Sequence, residues 1–297
     1  MISPAAEIEV GEGLIRSLLV EQHPDLADLP VTEVDSGWDN ALWRIGDDLL
    51  ARLPRRQIAV PLTINEQRWL PELAQTLPLP VPVPVRIGRP SDAFPWPWSV
   101  VQWIEGHPGD RAEIIQPEET ACRLGRFLRA LHQEAPSNAP TNPYRGVPLA
   151  ERAPDFERWL SQIGSRVDHR ALRRVWDRAL GAGQWSRPPA WIHGDLHPAN
   201  TIVEHGALTA VIDFGDICAG DPATDLAGAW MLLPYNQLAT FAAVYGGVDL
   251  ELEQRTLGWV VLFALMQIAI GIDDRPTYGV VGHSALVKAI ERSEGVS

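Results

Sequence analysis

The chain has 297 residues, 45% of them hydrophobic, so it can bury a sizeable core, and two lobes are expected rather than one compact unit. Its formal net charge of −13 weighs against nucleic acid and anionic membrane as partners, since both need a basic surface. That acidity suits a cationic small molecule and serves equally well as plain solubilising charge. The only cysteines, Cys122 and Cys218, stand far apart and outside any C-x-x-C spacing, so they are expected as buried thiols in a reducing compartment rather than as a disulfide or a metal site. No basic segment leads into an apolar run at the start, which gives no sign of a signal peptide and makes a cytoplasmic location the expectation.

Ala5 to Glu21 carry helical spacing, with Ile8, Leu14, Leu18 and Leu19 as expected buried positions. From Pro30 the pattern turns to strands over Val31 to Asp35, Ala41 to Ile45 and Leu49 to Leu53. Gly46-Asp47-Asp48 reads as a plain hairpin turn, whereas Ser36-Gly37-Trp38-Asp39-Asn40 is longer than a hairpin requires and presents small or polar residues. The third strand sets Arg52 among Leu49, Leu50, Ala51 and Leu53. Arginine cannot shed its charge, so a buried Arg52 needs an anion; an edge-strand arginine reaching out to water is the other reading. A helix is predicted from Leu62 to Thr76, with Leu62, Trp69, Leu70, Leu73 and Leu77 on one stripe and Glu66 on the same face. A carboxylate there is costly unless paired, and Arg52 is the candidate partner; a partly exposed Glu66 at the edge of the stripe is the alternative.

The repeated prolines of LPLPVPVPVRIGRP exclude helix and favour a stiff extended path, which leads into an apolar strand from Ser99 to Ile104. Beyond Glu105-Gly106 the period becomes helical: Pro117 suits a first turn, and Leu124, Phe127, Leu128 and Leu131 share a face that ends near His132, expected as a hydrogen-bonded structural residue. Residues 136–148 read as a loop, followed by helices over Asp155 to Leu160 and His169 to Leu180 and a strand into Trp191. Farther on, the apolar run from Leu257 to Ile272 is shorter than the roughly 20 residues a membrane span needs and contains Gln267, so it reads as a buried helix. Asp273 and Asp274 follow it, where each carboxylate opposes the helix dipole by about 0.3–1 kcal/mol. That placement hints at cation binding, with solvated loop acids as the plainer reading.

The stretch from Trp191 to Asp225, WIHGDLHPANTIVEHGALTAVIDFGDICAGDPATD, holds the chemistry. Asn200 lies five residues after Asp195, and Asp213 heads the IDFG segment; strand-like TIV and LTAVIDF, joined by a turn at Glu204 to Gly206, put Asn200 and Asp213 on neighbouring strands. Kinases use the same interval between the Asp that accepts the substrate proton and an Asn that ligates magnesium, with a second magnesium-binding Asp in DFG. His193, Asp195 and His197 also alternate, and a short strand could aim all three one way, as a metal-dependent hydrolase requires. That reading leaves Asn200, IDFGD and the Arg52/Glu66 pair unexplained.

HGDLHPAN, then IDFGD, then GDPATDLA resembles the aminoglycoside phosphotransferase family, relatives of the protein kinases that include choline and macrolide kinases. The resemblance covers most of the chain and implies an α+β, protein-kinase-like two-lobe fold: an antiparallel-sheet lobe over residues 1–104 for the nucleotide, and a larger, mainly helical lobe over 105–297 for catalysis and the acceptor. It implies that Ser36 and Gly37 lie over the nucleotide phosphates, that Arg52 stands where kinases carry Lys (the only lysine here is Lys288), and that Glu66 holds it. It places the Gln102 carbonyl and the Ile104 amide on the adenine. Asp195 then orients the acceptor hydroxyl and takes its proton, Asn200 and Asp213 hold Mg2+, and ATP or GTP is the donor. Gly194 sits where protein kinases carry Arg; His193 fixes backbone, His197 is loop structure, and Asp221 and Asp225 cap and anchor the next helix. The acceptor is a small-molecule hydroxyl, with Asp216, Asp273 and Asp274 as candidate contacts for a cationic one; aminoglycosides, macrolides, choline, homoserine and sugars are all acceptors within the family. A nucleotide-binding pseudokinase or regulatory module that lost transfer with the change to Arg52 is the competing reading. Retention of Asp195, Asn200 and Asp213 together favours an active enzyme, because a binding module needs no proton acceptor.

Overall fold

The computed structural model describes residues 4–295. α1 (Glu12–Gln22) precedes β1 (Val31–Ser36), β2 (Asn40–Ile45) and β3 (Leu49–Pro54); α2 (Val60–Leu73) and the proline-rich stretch then lead to β4 (Pro84–Gly88) and β5 (Trp98–Gln102). These strands form an antiparallel sheet in the order β1-β2-β3-β5-β4. The proline-bearing β4 falls at an edge, where a residue without an N–H costs no ladder bond. β3 falls in the middle, which decides between the two readings of Arg52: it is buried, 7% exposed, with no edge from which to reach water. α1 starts later than the apolar spacing suggests, at Glu12 after Gly11, so Ile8 precedes the helix yet still packs on the same cluster as Leu18 and Leu19.

The rest of the chain is mainly helical. It runs through β6 (His107–Pro108), α3 (Pro117–Leu131), α4 (Ala153–Ile163), α5 (His169–Gly181), β7 (Ala190–Ile192), β8 (Thr201–Glu204), β9 (Ala207–Val211), β10 (Cys218–Gly220), α6 (Ala223–Leu232), α7 (Leu238–Tyr245), α8 (Leu250–Asp273) and α9 (Pro276–Glu294). β6, β8 and β9 make one small sheet, and β7 pairs with β10 in another. α8 begins two turns before its apolar run because Asp249 caps it, accepting from Leu252 N at 2.8 Å. At 24 residues and a mean hydropathy of 1.8 over its most apolar window, α8 has the length and composition to cross a membrane, contrary to the expectation that it is too short. Burial explains its composition instead: 78% of that window is buried inside the fold, where α8 packs against α4, α5, α6 and α9.

Among the described residues two hydrophobic clusters result, one around the sheet with Ile15, Trp43, Leu53 and Trp98, the other around the helices with Leu124, Phe127, Trp259 and Leu265. α2 joins them, because Val60 at its start belongs to the first and Trp69 and Leu70 near its end belong to the second. Both cysteines are free; Cys218 is buried, but Cys122 is only half-buried.

Candidate active site

Arg52 crosses from β3 to two carboxylates that come from other elements. One guanidinium nitrogen donates to Glu66 Oε1 on α2, and the other donates to Asp213 Oδ1 at 2.8 Å. Glu66 is 5% exposed, so it belongs to the interior and not to the edge of its stripe. Burial works against the charge on Arg52, but Glu66 and Asp213 more than offset it and its pKa is raised; burial pushes the Glu66 carboxyl up, with Arg52 pulling against it. A planar fork that can bond two acceptors at once is what this geometry needs, and lysine has no such fork.

The loop after β7 is held from below by one buried acid. Asp225, on α6, accepts from His193 N at 2.7 Å and from Gly194 N at 2.9 Å, and its Oδ2 lies 3.1 Å from His132 Nε2. Asp225 therefore anchors the loop as well as standing on the helix, while Asp221, one residue before the Pro222 N-cap of α6, accepts from Ala223 N at 3.0 Å and from Arg255 Nε at 2.7 Å. His193 Nδ1 accepts from Asp195 N at 3.2 Å, which leaves its Nε2 to donate to Ile212 O at 2.9 Å and ties the loop to the segment that carries Asp213. Gly194 has φ +84, and a Cβ there would come within 2.6 Å of the Asp216 carbonyl, so the loop requires glycine at this point.

Asn200 and Asp213 meet through backbone: Ile212 N donates to Asn200 O at 2.9 Å. Asp213 itself has φ +62, a conformation rare for a residue with a side chain, and this turns its carboxylate toward Arg52 with about half its side-chain surface exposed. The Asn200 amide nitrogen donates to Asp195 O at 2.9 Å, which leaves its oxygen as a donor for a hard cation. Asn200 and Asp213, on segments joined by that backbone bond, each carry a side-chain oxygen of the kind that magnesium takes, an ion bound by one or two protein ligands with the rest from phosphates and water. Among the described residues no group of three or more His, Cys, Asp or Glu side chains is placed to hold a metal ion. His193 is spent on Ile212 O, and although His197 Nε2 comes to 3.5 Å from Asp195 Oδ2, its ring packs edge-on against Tyr278 at 5.4 Å, so the three alternating residues do not form the metal-holding group a hydrolase site requires.

Sequence reasoning passed over Arg145. It lies in the loop between α3 and α4, and its Nη2 donates to Asp195 Oδ1 at 2.8 Å while its guanidinium sits 5.0 Å from the Phe263 ring. Burial works against the charge of Asp195, yet Arg145, followed by His197 and His193, more than offsets this and holds the carboxyl well below the usual carboxylate range. One signal was available: Arg145 is the only charged residue between Glu134 and Glu151.

The remaining candidates stand on other elements. Ser36 ends β1, and its side chain lies outside what the structure describes; Gly37 N donates to Asn40 O at 2.9 Å, and Gly37 O accepts from Arg55 at 2.6 Å, so β3's end ties down the turn above the site. Arg56 adds an ion pair to Asp39 at 2.6 Å, another cation the sequence reading left out. The predicted strand from Ser99 stops at Gln102, two residues short of Ile104. Trp103 N donates to Asp48 O at 2.7 Å, so at the end of the strand the Gln102 carbonyl faces away from β3, while Ile104 lies beyond the strand. Asp216 is bonded by Asn142 at 2.6 Å, and burial pushes its carboxyl up. Asp273 and Asp274 are exposed at the end of α8, beside Arg275, which reaches to 3.8 Å from Asp35.

A sheet lobe and a helical lobe joined by one helix, with an Arg–Glu pair above and an Asp/Asn/Asp set below, define a protein-kinase-like fold. The model of the phosphotransferase enzyme family, APH, matches residues 30–259, and the chain belongs to that family. The solved structure of the GDP complex of aminoglycoside 2'-phosphotransferase-IIIa is similar, with a TM-score of 0.71 at 20% identity over 95% of this chain and 100% of that one. The streptomycin–ATP ternary complex of APH(2")-IIa aligns with a TM-score of 0.61 at 17% identity, covering 95% of this chain and 97% of the other. Macrolide 2'-phosphotransferase MphH from Brachybacterium faecium aligns with a TM-score of 0.60 at 21% identity, covering 92% and 97%.

Proposed function

We propose that the protein transfers the γ-phosphoryl group of ATP or GTP to a hydroxyl of a small molecule in the cytoplasm, with residues 1–104 binding the nucleotide and 105–297 the acceptor. The observation that carries this reading is an unbroken chain of contacts: Arg52 to Asp213, Ile212 to Asn200, and Asn200 to Asp195. It runs from a cation suited to phosphate to a carboxylate suited to a hydroxyl proton. Solved relatives described as GDP and streptomycin–ATP complexes support a nucleotide as co-substrate.

In this reading Arg52 meets the charge of the donor's phosphates, and Glu66 and the inner strand keep its fork aimed. The Gln102 carbonyl and Ile104 amide bond the base, and the turn at Ser36 and Gly37 covers the phosphates. Asn200 and Asp213 hold Mg2+, which when bound supplies charge neutralisation on the phosphate oxygens. Asp195 orients the acceptor hydroxyl and takes its proton as the new oxygen–phosphorus bond forms and the bond from the γ-phosphorus to the β,γ-bridging oxygen breaks, releasing the nucleoside diphosphate. A carboxylate held this far below its ordinary range is a weak base, so the proton moves late and most of the acceleration comes from placement and electrostatics. Aminoglycosides and other antibiotics are the first acceptors to test, with Asp216, Asp273 and Asp274 as contacts for a cationic one.

The deciding experiment measures magnesium-dependent transfer from ATP and from GTP to aminoglycosides, macrolides and small amino alcohols, with Asp195→Asn as the control. Transfer to one acceptor class that disappears in the control supports the reading and names the class. Saturable nucleotide binding with no transfer and no hydrolysis favours the binding-module reading instead.

A further inference from the structure

Arg145 is held against Asp195 by a loop with no regular period in its sequence, which is fastened to the fold by three hydrogen bonds and braced by one within itself. Ala219 N donates to Pro140 O at 2.9 Å, Asp221 N donates to Gly146 O at 2.9 Å, Gly146 N donates to Thr224 Oγ1 at 3.2 Å, and Tyr144 N donates to Asn142 Oδ1 at 2.8 Å. Gly146 has φ +66, and a Cβ on it would come within 2.7 Å of the Gly220 Cα, so two glycine backbones touch where the loop meets β10. None of these contacts uses the Arg145 side chain. Among the described residues, the loop delivers a guanidinium whose one bonded acid is Asp195, with Phe263 beneath it and its Nε buried without a partner.

Each oxygen of Asp195 then has a different setting. Oδ1 accepts from Arg145 at 2.8 Å, while Oδ2 has only longer neighbours, Asn200 Nδ2 at 3.4 Å and His197 Nε2 at 3.5 Å. A carboxylate bonded firmly through one oxygen cannot rotate freely, so the other keeps a fixed direction. We propose that Arg145 is a positioning residue: by occupying Oδ1 it fixes the Asp195 carboxylate with Oδ2 presented to the acceptor hydroxyl. The inference rests on Asp195 taking that hydroxyl's proton. Arg145 acts through Asp195 and makes no contact with the nucleotide.

The test is a double-mutant cycle of Arg145→Ala and Asp195→Asn, read by magnesium-dependent transfer to the acceptor found in the screen, or by ATP or GTP hydrolysis, in which water takes the acceptor's place. Arg145→Ala is expected to lower kcat about 10–100-fold with the nucleotide KM unchanged, because misplacement of a reacting group costs on this order. In the Asp195→Asn background the same change is expected to alter kcat less than about threefold, since there is no carboxylate left to aim. Arg145→Lys is expected to recover most of the lost kcat, since a single N–H···O bond is all the contact requires and the Nε bonds nothing. An equal loss in both backgrounds, an unchanged kcat or a raised nucleotide KM overturns the role given to Arg145 while leaving Asp195 as the base. Full turnover in Asp195→Asn alone overturns the base assignment, and the role of Arg145 with it.

Discussion

Two arginines, Arg52 buried and Arg145 half-buried, hold the acids of this site, and they are built in opposite ways. Arg52 stands on the middle strand of a sheet and pairs with Glu66 on a helix, so regular elements fix both partners. Arg145 stands on an irregular loop and reaches Asp195 on a second loop, so glycine contacts and backbone bonds to β10 and α6 do the fixing. The first arrangement resists change because the sheet would have to move; the second depends on close backbone approaches that any side chain at Gly146 or Gly220 would block.

The same difference decided what could be read from sequence. Arg52 interrupts an apolar strand and Glu66 interrupts an apolar helical stripe, and a charge that breaks a period announces that it needs a partner. Asp195, Asn200 and Asp213 could be placed because their spacing is tied to a loop, two short strands and a turn. Arg145 breaks no period, since residues 136–148 have none, and its partner lies 50 positions away in the chain. The role of Asp225 in carrying the loop after β7 was hidden for a related reason: its bonds to His193 and Gly194 go to backbone N–H groups, which leave no mark on a sequence. Ends of elements were missed where a cap or a pairing partner set them, as at Asp249 before α8 and at Gln102, where β5 stops.

The comparison is broken most directly by Asp195→Asn. Loss of the proton acceptor is expected to lower kcat by about 10²–10⁴-fold with nucleotide binding intact, measured by steady-state transfer and by titration of the nucleotide. Unchanged turnover in this variant removes Asp195 from the chemistry. On the strand side, Arg52→Ala strands Glu66 in the interior without its cation, which is expected to destabilise the fold by about 3–5 kcal/mol and to raise the nucleotide KM. Arg52→Met with Glu66→Leu, which removes both charges and keeps the volume, is expected to restore most of the stability and none of the nucleotide use. If the double variant does not regain the stability, the loss in Arg52→Ala comes from more than a Glu66 left without its cation.

A smaller effect is expected from Gly194→Ala, which puts a Cβ within 2.6 Å of the Asp216 carbonyl at a φ of +84. A left-handed alanine costs roughly 1–2 kcal/mol, and the loop has to shift to relieve the contact, so a lower melting temperature and a kcat reduced by about tenfold are expected together. A drop in kcat with no thermal shift would mean that glycine here serves substrate access and not the loop's backbone.

Lys288 sharpens the contrast from outside the site, because it is a buried cation with backbone carbonyls as partners in place of carboxylates. Its ammonium donates to Trp230 O and to Leu233 O at 2.9 Å, so the chain's only lysine closes the carbonyl end of α6, where the helix dipole favours a positive charge. Burial, unopposed by a nearby acid, pushes its pKa down to about 8 from the ordinary 10.5. Between those two values the unfolded chain holds a proton that the folded one has released, so stability rises with pH through that window, by up to about 3 kcal/mol, and this group contributes no pH dependence below it. Lys288→Met leaves the two carbonyls without their donor but also removes a desolvated charge, so at pH 7 the net loss is expected to be only about 1 kcal/mol. Since only the wild type gains stability from this lysine as the pH rises, the gap between the two proteins is expected to widen from pH 8 to pH 10.5 in denaturant titrations. A constant gap over that range would mean that the carbonyls hold the proton on Lys288 as firmly as water does, and that carbonyl partners at a helix end serve a buried cation as well as Glu66 serves Arg52.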